Sequence, residues 1–140
     1  MRFCRPSFDA VKALLESADL PSADLPEDLE HFVGCGNPAS PDGVVGLEIF
    51  GDLALLRSLV VSTSNRGAGL GKRLVTIAEE YAREKEVKTI YLLTETAERF
   101  FESLGYRSAD RESAPASIRS TQEFSALCPD SAAFMVKELV

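Results

Sequence analysis

An apolar strand that runs into a glycine-rich turn and then an amphipathic helix constrains this sequence more than any other feature. The strand is predicted for Leu53 to Val61 and the helix for Gly69 to Lys85. The turn between them carries alternating glycines at Gly67, Gly69 and Gly71. Glycine has no Cβ, so its backbone can approach an anion closely, and a helix N-terminus offers unpaired N–H groups and the positive end of its dipole. The pattern therefore predicts a cradle for a pyrophosphate group.

The spacing of these glycines argues against two familiar nucleotide-binding turns. A P-loop has four residues between its glycines and a Ser or Thr after its lysine. Here only three residues separate Gly67 from Gly71, and Arg73 follows Lys72. The dinucleotide fingerprint G-x-G-x-x-G also fails, because Gly69 is followed by Gly71 and then by a lysine. A nucleoside triphosphate is therefore disfavoured as the ligand.

The rest of the chain predicts strands and helices around one sheet. Strands Val44 to Phe50 and Leu53 to Val61 are separated only by Gly51 and Asp52, which is the reach of a tight antiparallel hairpin. Pro38, Pro41 and Gly43 predict the turn before them. Further strands are predicted at Arg2 to Arg5, His31 to Cys35, Thr89 to Leu93 and Ala132 to Val140, and helices at Phe8 to Glu16 behind the N-cap Ser7, at Ala97 to Leu104 and within Pro115 to Leu127. The order predicts an α+β fold.

Length, composition and charge exclude several classes of protein. The 140 residues, with 45% apolar and 26% charged residues, predict a single globular domain over residues 1–140. A net charge of -7 at pH 7 without a basic cluster argues against nucleic acid as a partner. No apolar run approaches the length of a membrane span, and the N-terminus lacks a secretory leader. We therefore expect a cytoplasmic protein with no membrane partner.

The cysteines and the histidine predict neither a metal site nor a nucleophile. Cys4, Cys35 and Cys128 are far apart and form no C-x-x-C pair, so we expect free thiols, no disulfide and no metal. His31 is the only histidine and has no evident Ser or Cys partner.

The turn matches a family signature residue for residue. Arg66-Gly67-Ala68-Gly69-Leu70-Gly71 reads R-x-x-G-x-G, and it resembles the coenzyme A turn of the GCN5-related N-acetyltransferase (GNAT) superfamily. A second segment, Ala97 to Tyr106, resembles the helix and strand that close the fold of that superfamily. The resemblance implies a mixed, largely antiparallel central sheet flanked by helices, with acetyl-CoA as cosubstrate.

The resemblance also implies which residues hold the cofactor. The N–H groups from Arg66 to Lys72 would bind the pyrophosphate, and the backbone of Leu59, Val60 and Val61 would pair with the pantetheine arm. Phe100, in the second matching segment, is expected to contact the cofactor from the far side. The departure is Phe101, because many members carry a tyrosine there that protonates the leaving thiolate, and phenylalanine has no proton to give. Thr94, Thr96, Tyr106 or a water would have to replace it, or the thiolate leaves unprotonated.

Acetyl transfer to an amine requires a group that removes the proton of the amine, and carboxylates near the acyl group are the candidates. Glu95 is the first choice, since it stands with Thr94 just past the end of the strand Thr89 to Leu93. Glu48 is the second, as a carboxylate inside an apolar strand. Each has an alternative interpretation, a helix-entry acid for Glu95 and a solvent-facing side chain for Glu48.

Arg57 interrupts an apolar strand and shares a face with Leu55 and Leu59 if no bulge intervenes. It would suit an acceptor that bears a carboxylate, and its alternative is a structural ion pair with Glu48.

Three segments sharpen the resemblance to the small N-acetyltransferases associated with arsenic resistance. They are Leu55 to Leu59, Tyr91 to Ala97 and Ile118 to Thr121 followed by Leu127-Cys128-Pro129. That resemblance implies an acceptor such as an amino acid or an amino-acid-like arsenical. A non-catalytic acyl-CoA-binding module is the competing interpretation, and a homodimer is left open.

Overall fold

A computed structural model describes residues 3–20, 22–26, 29–62, 69–127 and 132–139, without the side chains of residues 126 and 127. The strands are β1 Phe3–Cys4, β2 Phe32–Asn37, β3 Ser40–Phe50, β4 Leu53–Val61, β5 Thr89–Thr94, β6 Arg107–Ser108 and β7 Ala133–Glu138. The helices are α1 Phe8–Ser17, α2 Leu70–Glu84, α3 Glu98–Ser103 and α4 Ala116–Arg119, with a 3-10 turn at Arg111–Ser113 and a π-helical turn at Glu123–Leu127. None of the described helices is both long and apolar enough to cross a membrane.

All seven strands belong to one sheet in the order β1-β2-β3-β4-β5-β7-β6. Neighbouring strands are antiparallel except β4 and β5, which are parallel. A parallel pair needs a crossover connection, and α2 supplies it. The predicted α+β fold with a mixed, largely antiparallel sheet flanked by helices is therefore confirmed.

Helices cover both faces of the sheet. On one face α2 buries Leu70, Leu74, Ala78 and Ala82, which recur at helical spacing, in the same core as Phe101 of α3. On the other face α1 packs over β2, β3 and β4, and α4 packs beside it against β4 and β7. The predicted N-cap of α1 is confirmed, because the Ser7 hydroxyl accepts a hydrogen bond from the Ala10 N–H at 3.2 Å.

A β-bulge in β4 changes which way its side chains point. Arg57 pairs with Gly46 and Val60 pairs with Val44, so two residues of β4 lie opposite the single residue Val45. Ser58, inside the bulge, has a φ of 59°, in the left-handed region. Because of the extra residue, Leu59 packs in the core under α2. Arg57 and Leu59 were expected to share a face only if β4 had no bulge. Because the bulge is present, they do not.

The bulge lies where β4 and β5 separate. Their parallel ladder runs from Leu53 with Thr89 to Leu55 with Tyr91. Among the described residues no pair joins the two strands beyond that point, although β4 continues to Val61 and β5 to Thr94. The carboxyl halves of the two strands thus enclose an opening in the middle of the sheet.

Two sequence-based predictions need correction. The turn predicted over Pro38, Pro41 and Gly43 is shorter, because β3 begins at Ser40 and Pro41 already pairs with Gly36. A register shift between Cys35 and Gly36 accommodates the proline, which has no N–H to donate.

The second correction concerns the segment after Pro115. It forms the short helix α4 followed by a π-helical turn, in place of one helix to Leu127. Strand β6 was not predicted, because two exposed residues carry no hydrophobic pattern.

The bulge can be tested at Ser58. A β-branched residue is disfavoured in the left-handed region, whereas glycine is not. We expect Ser58→Val to lower the free energy of unfolding by on the order of 1–2 kcal/mol more than Ser58→Gly does, as measured by urea denaturation. Ser108→Val, in the exposed strand β6, is the matched control and should have little effect. Equal stability of the two Ser58 variants would contradict the bulge.

Candidate functional site

The opening between β4 and β5 leads into a cavity of about 670 Å³. Its walls come from the end of α1, the second half of β4, the start of α2, the end of β5 with the loop after it, α3, and the turn at Glu123. The lining includes apolar strand residues and a small number of charged side chains, among them Arg57, Glu95 and Glu123. This combination is typical of a small-molecule site.

The structure brings part of the predicted cofactor-binding set to this cavity. The lining members of the set are Leu59, Val60, Val61, Gly71 and Phe100. Gly69, Leu70 and Lys72 begin α2 beside it without lining it. Arg66, Gly67 and Ala68 lie outside the described residues.

The start of α2 has the geometry of an anion site. Gly69 is the N-cap, with a φ of 77° in the left-handed region. Among the described residues, no side chain caps this end of α2. The Arg73 N–H bonds to the Gly69 carbonyl at 3.2 Å, which leaves the N–H groups of Leu70 and Gly71 ahead of the intrahelical ladder. The first turn therefore offers backbone donors near the cavity.

Phe100 packs directly on the start of α2. A Cβ added at Gly71 would lie 3.3 Å from the Phe100 Cζ and 3.9 Å from a methyl carbon of Val61. A side chain at Gly71 would therefore displace the Phe100 ring. The absence of a side chain keeps α2, α3 and β4 close together at the cavity.

Arg57 is buried and held by carboxylates. Its two terminal nitrogens donate to the two oxygens of Asp24 at 2.5 and 2.6 Å, and these side chains are 1% and 5% exposed. The Nη1 also lies 3.4 Å from Glu48 Oε2, and the Nε donates to the Ser58 hydroxyl at 3.1 Å. The predicted ion pair with Glu48 is present, but the shorter, bidentate pair is with Asp24, which the sequence did not indicate.

These contacts shift the pKa values of both partners on the sheet. Burial disfavours the charged form of Arg57, but the hydrogen bonds that it donates to Asp24 and the charges of the surrounding carboxylates outweigh burial and raise the Arg57 pKa. Burial raises the pKa of Glu48, and Arg57 opposes that rise. Glu48 is half-buried behind Arg57 and is not part of the cavity lining.

Glu123 is a site residue that the sequence analysis missed. Its side chain is buried, with 7% exposed, and it lines the cavity beside Arg57. Its Oε2 is buried and accepts no hydrogen bond from any described residue. Burial raises the pKa of Glu123 to about 7, with Arg57 opposing the rise and Asp24 and Glu48 adding to it. It belongs to no motif and follows a short irregular segment, so no local signal identified it.

Comparison with protein families shows to which family the chain belongs. The family described as the acetyltransferase (GNAT) domain matches residues 27–108, more than half of the chain. The chain belongs to the GNAT family. The expected enzyme class, an acetyl-CoA-dependent N-acetyltransferase, is confirmed at the level of this family.

Solved structures share the fold along nearly the whole chain at low sequence identity. N-acetylglutamate synthase from Neisseria gonorrhoeae, complexed with coenzyme A and N-acetyl-glutamate, matches with a TM-score of 0.81 at 19% identity over 99% of this chain and 35% of that chain. The Mycobacterium tuberculosis protein Rv2747, in a complex that contains CoA, matches at 0.80 and 20% identity over 100% of both chains. An aminoglycoside 6'-N-acetyltransferase complexed with coenzyme A matches at 0.73 and 19% identity over 100% of this chain and 98% of that chain. The chain thus spans about a third of the first of these proteins.

At the position where many GNAT members were said to carry a tyrosine, Phe101 is a core residue. It is 4% exposed, and its ring contacts Phe100 and Tyr106 edge-on, with centroids 5.1 and 5.5 Å away. Tyr106 does not supply the missing hydroxyl, because its OH donates to Glu79 at 3.0 Å and it does not line the cavity. Burial and the charge of Glu79 also raise the pKa of the Tyr106 hydroxyl above its ordinary value.

Glu95 and Thr94 lie at the edge of the GNAT cavity. Both line it, and Glu95 is exposed. The Thr94 hydroxyl accepts a hydrogen bond from the Ala97 N–H at 3.0 Å, which fixes the loop that enters α3. Glu95 therefore meets solvent at the rim, whereas Glu123 is enclosed.

The cysteines give no second site in the described part of the chain. Cys4 and Cys35 are free thiols, and Cys128 lies outside the described residues. Over the described ranges, no group of three His, Cys, Asp or Glu residues is placed to hold a metal ion.

Removing Asp24 tests the buried ion pair. Asp24→Asn leaves Arg57 buried with a weaker set of partners, so we expect the free energy of unfolding to fall by on the order of 2–3 kcal/mol, below the usual cost of a broken buried pair because Glu48 remains. Glu138→Gln is the control, since its pair with Arg107 is about two-thirds exposed on both sides and should contribute little. If Asp24→Asn and Glu138→Gln both lowered the free energy of unfolding by a similar small amount in urea denaturation, Asp24 would not hold Arg57.

The raised pKa of Glu123 predicts a pH-dependent stability. The unfolded chain loses this proton above about pH 4.3, whereas the folded protein keeps it until about pH 7. The wild type therefore loses stability as pH rises through this window. We expect Glu123→Gln to raise the Tm relative to wild type at pH 8 and much less at pH 4.

Glu102, an exposed residue of α3, provides the control for this effect. Glu102→Gln should give no Tm difference that grows with pH. A Tm difference for Glu123→Gln that is the same at pH 4 and pH 8 would contradict the raised pKa.

Proposed function

We propose that this chain transfers an acetyl group from acetyl-CoA to the primary amine of a small molecule. One observation carries the proposal. The opening between β4 and β5 has the start of α2, which no described side chain caps, at one side and the buried carboxylate of Glu123 at the other, within one cavity. A cofactor that enters along α2 would meet an amine held near that carboxylate.

Binding of the cofactor would use backbone more than side chains. The pyrophosphate would lie on the N–H groups from Arg66 through Gly67, Ala68, Gly69, Leu70 and Gly71 to Lys72, as the family signature implies. The pantetheine would run along β4 at Leu59, Val60 and Val61, where β4 no longer pairs with β5. Phe100 would bound the other side. Such an arrangement fixes the thioester relative to the amine, which is a large part of the rate acceleration.

The reaction itself requires a neutral amine nitrogen. That nitrogen attacks the thioester carbonyl carbon, a C–N bond forms, and the C–S bond breaks to release the thiolate of coenzyme A. Glu95 and Glu48 remain the predicted groups that remove the proton of the amine, and Thr94 is the nearby hydroxyl for the leaving thiolate. A backbone N–H near Val61 would polarise the carbonyl.

We propose that the acceptor is an amine that is protonated, and therefore positively charged, before it reacts. Arg57 was predicted to hold an acceptor carboxylate, but its donors already bind Asp24, Glu48 and Ser58. An amino acid would have to compete with Asp24 for the guanidinium, whereas an amine would meet an acidic surrounding. Among the similar structures, the names of N-acetylglutamate synthase and aminoglycoside N-acetyltransferase indicate both kinds of acceptor.

Three finer statements remain part of this proposal. The arsenic-resistance subgroup, with an amino-acid-like arsenical as acceptor, rests on the resemblance of short segments. The cytoplasmic location remains a proposal from the sequence, and a homodimer can be tested by sizing in solution. A panel assay of thiol release from acetyl-CoA, with amino acids, aminoglycosides and simple diamines, tests the acceptor class.

The second candidate is an acyl-CoA-binding module without turnover, and Phe101 is the observation that favours it. With the ring packed between Phe100 and Tyr106, the expected proton donor is missing. Binding of acetyl-CoA in calorimetry without thiol release from any amine would support this candidate over the enzyme.

The cofactor site can be tested at Gly69 with two variants of nearly equal shape. Asn and Asp both tolerate the left-handed backbone, and a Cβ added at Gly69 would meet no atom of the described residues within 4 Å, apart from its chain neighbours. We expect Gly69→Asp to weaken acetyl-CoA binding on the order of tenfold more than Gly69→Asn, because only the carboxylate repels the pyrophosphate. The measurement is isothermal titration calorimetry. Equal affinity of the two variants would contradict binding of the pyrophosphate at the start of α2.

A further inference from the structure

Glu123 combines three properties that a structural carboxylate rarely has together. It is more than nine-tenths buried, its Oε2 accepts no hydrogen bond from the described residues, and it lines the cavity that Val61 and Gly71 also line. Buried carboxylates are normally hydrogen-bonded, because an unpaired one loses its hydration without compensation. A buried oxygen with no donor among the described residues, on a residue that lines the cavity, therefore points to a ligand that donates to it.

The charges around Glu123 indicate the sign of that ligand. Among the described residues, Arg57 is the positive group whose charge acts on the Glu123 pKa, and Asp24 already binds both terminal nitrogens of Arg57. Glu48 lies near the same guanidinium, so one positive charge faces two carboxylates before Glu123 is counted. Both Asp24 and Glu48 disfavour the ionised form of Glu123. A cation in the cavity would offset this excess of negative charge.

We propose that Glu123 binds the ammonium group of the acceptor and takes the proton that must leave before the nitrogen can attack. This inference rests on the proposed acetyl transfer to an amine. The ammonium donates a hydrogen bond to the carboxylate oxygen that has no other described donor and passes its proton to it. The carboxylate becomes the neutral acid, and the nitrogen regains its lone pair. The nitrogen then forms the C–N bond as the C–S bond breaks.

The remaining protons balance the reaction. The second proton of the nitrogen goes to the departing thiolate, directly or through water, which gives free coenzyme A. Glu123 later returns its proton to solvent. The net change is one ammonium and one thioester converted to one amide, one thiol and one proton, with no other reactant.

Glu123 suits this step better than the two carboxylates that the sequence indicated. Glu95 is exposed at the rim, so its carboxylate has water to bind it. Glu48 is half-buried and outside the cavity lining. A general base is most effective when its pKa is near the working pH, and burial raises the pKa of Glu123 to about 7.

The pH profile of Glu123→Gln tests the inference. With an amine that the wild type acetylates, the wild-type kcat/KM should rise with pH through about pH 7 and then level off until the acceptor loses its own proton. In Glu123→Gln the rise near pH 7 should disappear, and kcat/KM should follow the free amine upward instead. At pH 7.5 we expect a loss on the order of 100-fold, with acetyl-CoA affinity unchanged in calorimetry.

Three further variants sharpen the result. Glu123→Asp keeps a carboxylate one methylene shorter and should retain the rise near neutral pH at a reduced rate. Glu102→Gln removes an exposed carboxylate of α3 that does not line the cavity and should match the wild type. Glu95→Gln is the direct competitor, and we expect it to keep the rise near pH 7.

The possible outcomes separate this inference from the proposed function. If the wild type releases no thiol with any amine, the acetyl transfer fails and the role of Glu123 fails with it. If the wild type turns over but Glu123→Gln keeps both its rate and its pH profile, only the role of Glu123 is overturned. If the rise of kcat/KM near pH 7 disappeared in Glu95→Gln but not in Glu123→Gln, Glu95 would be the base.

Discussion

The separation of β4 from β5 is the constraint on which the rest of this structure depends. Two parallel strands that stayed paired to their ends would close the middle of the sheet and leave no route for a ligand. Here the ladder stops at Leu55 and Tyr91, and the bulge at Ser58 directs the rest of β4. The left-handed backbone of Ser58 costs on the order of 1 kcal/mol, and it accompanies the opening at which we propose that acetyl transfer takes place.

The same bulge distributes side chains between the two faces. Before it, Leu56 faces the core under α2, and after it, Leu59 does so as well. Arg57 therefore stays on the face of α1, where its guanidinium lies over the Phe32 ring at 5.8 Å from the centroid and binds Asp24. One extra backbone residue thus keeps the apolar side chains Leu56 and Leu59 on the face of α2 and the charged Arg57 on the face of α1.

The parts that the sequence predicted are those encoded by local patterns. The bounds of β4 were predicted residue for residue, because alternating apolar runs and a two-residue turn carry that information. The glycine-rich turn was recognised for the same reason, and it led to the correct family. Glu95 and Thr94 could be placed at the end of a strand from the sequence, because a strand end is a local feature, and both line the cavity.

The parts that the sequence did not predict depend on contacts between distant residues. Asp24 and Arg57 are 33 positions apart, and nothing in the proline-bearing loop around Asp24 indicates a partner. Glu123 follows the short helix α4 in a π-helical turn, where no period marks a buried side. A bulge is likewise set by how two strands fit, so the sequence alone could state the orientation of Leu59 only as a condition.

The cost of Glu123 argues that its position is related to function. A buried carboxylate whose oxygen has no donor destabilises the fold, and glutamine would fill the same volume without a charge. Arg57 offsets this cost only in part, because its charge opposes the rise of the Glu123 pKa while Asp24 already binds both of its terminal nitrogens. Natural proteins keep strained or unsatisfied groups mainly where a ligand or a reaction uses them. Such a partner could come from the cavity, since Glu123 lines it together with several of the residues predicted to hold acetyl-CoA.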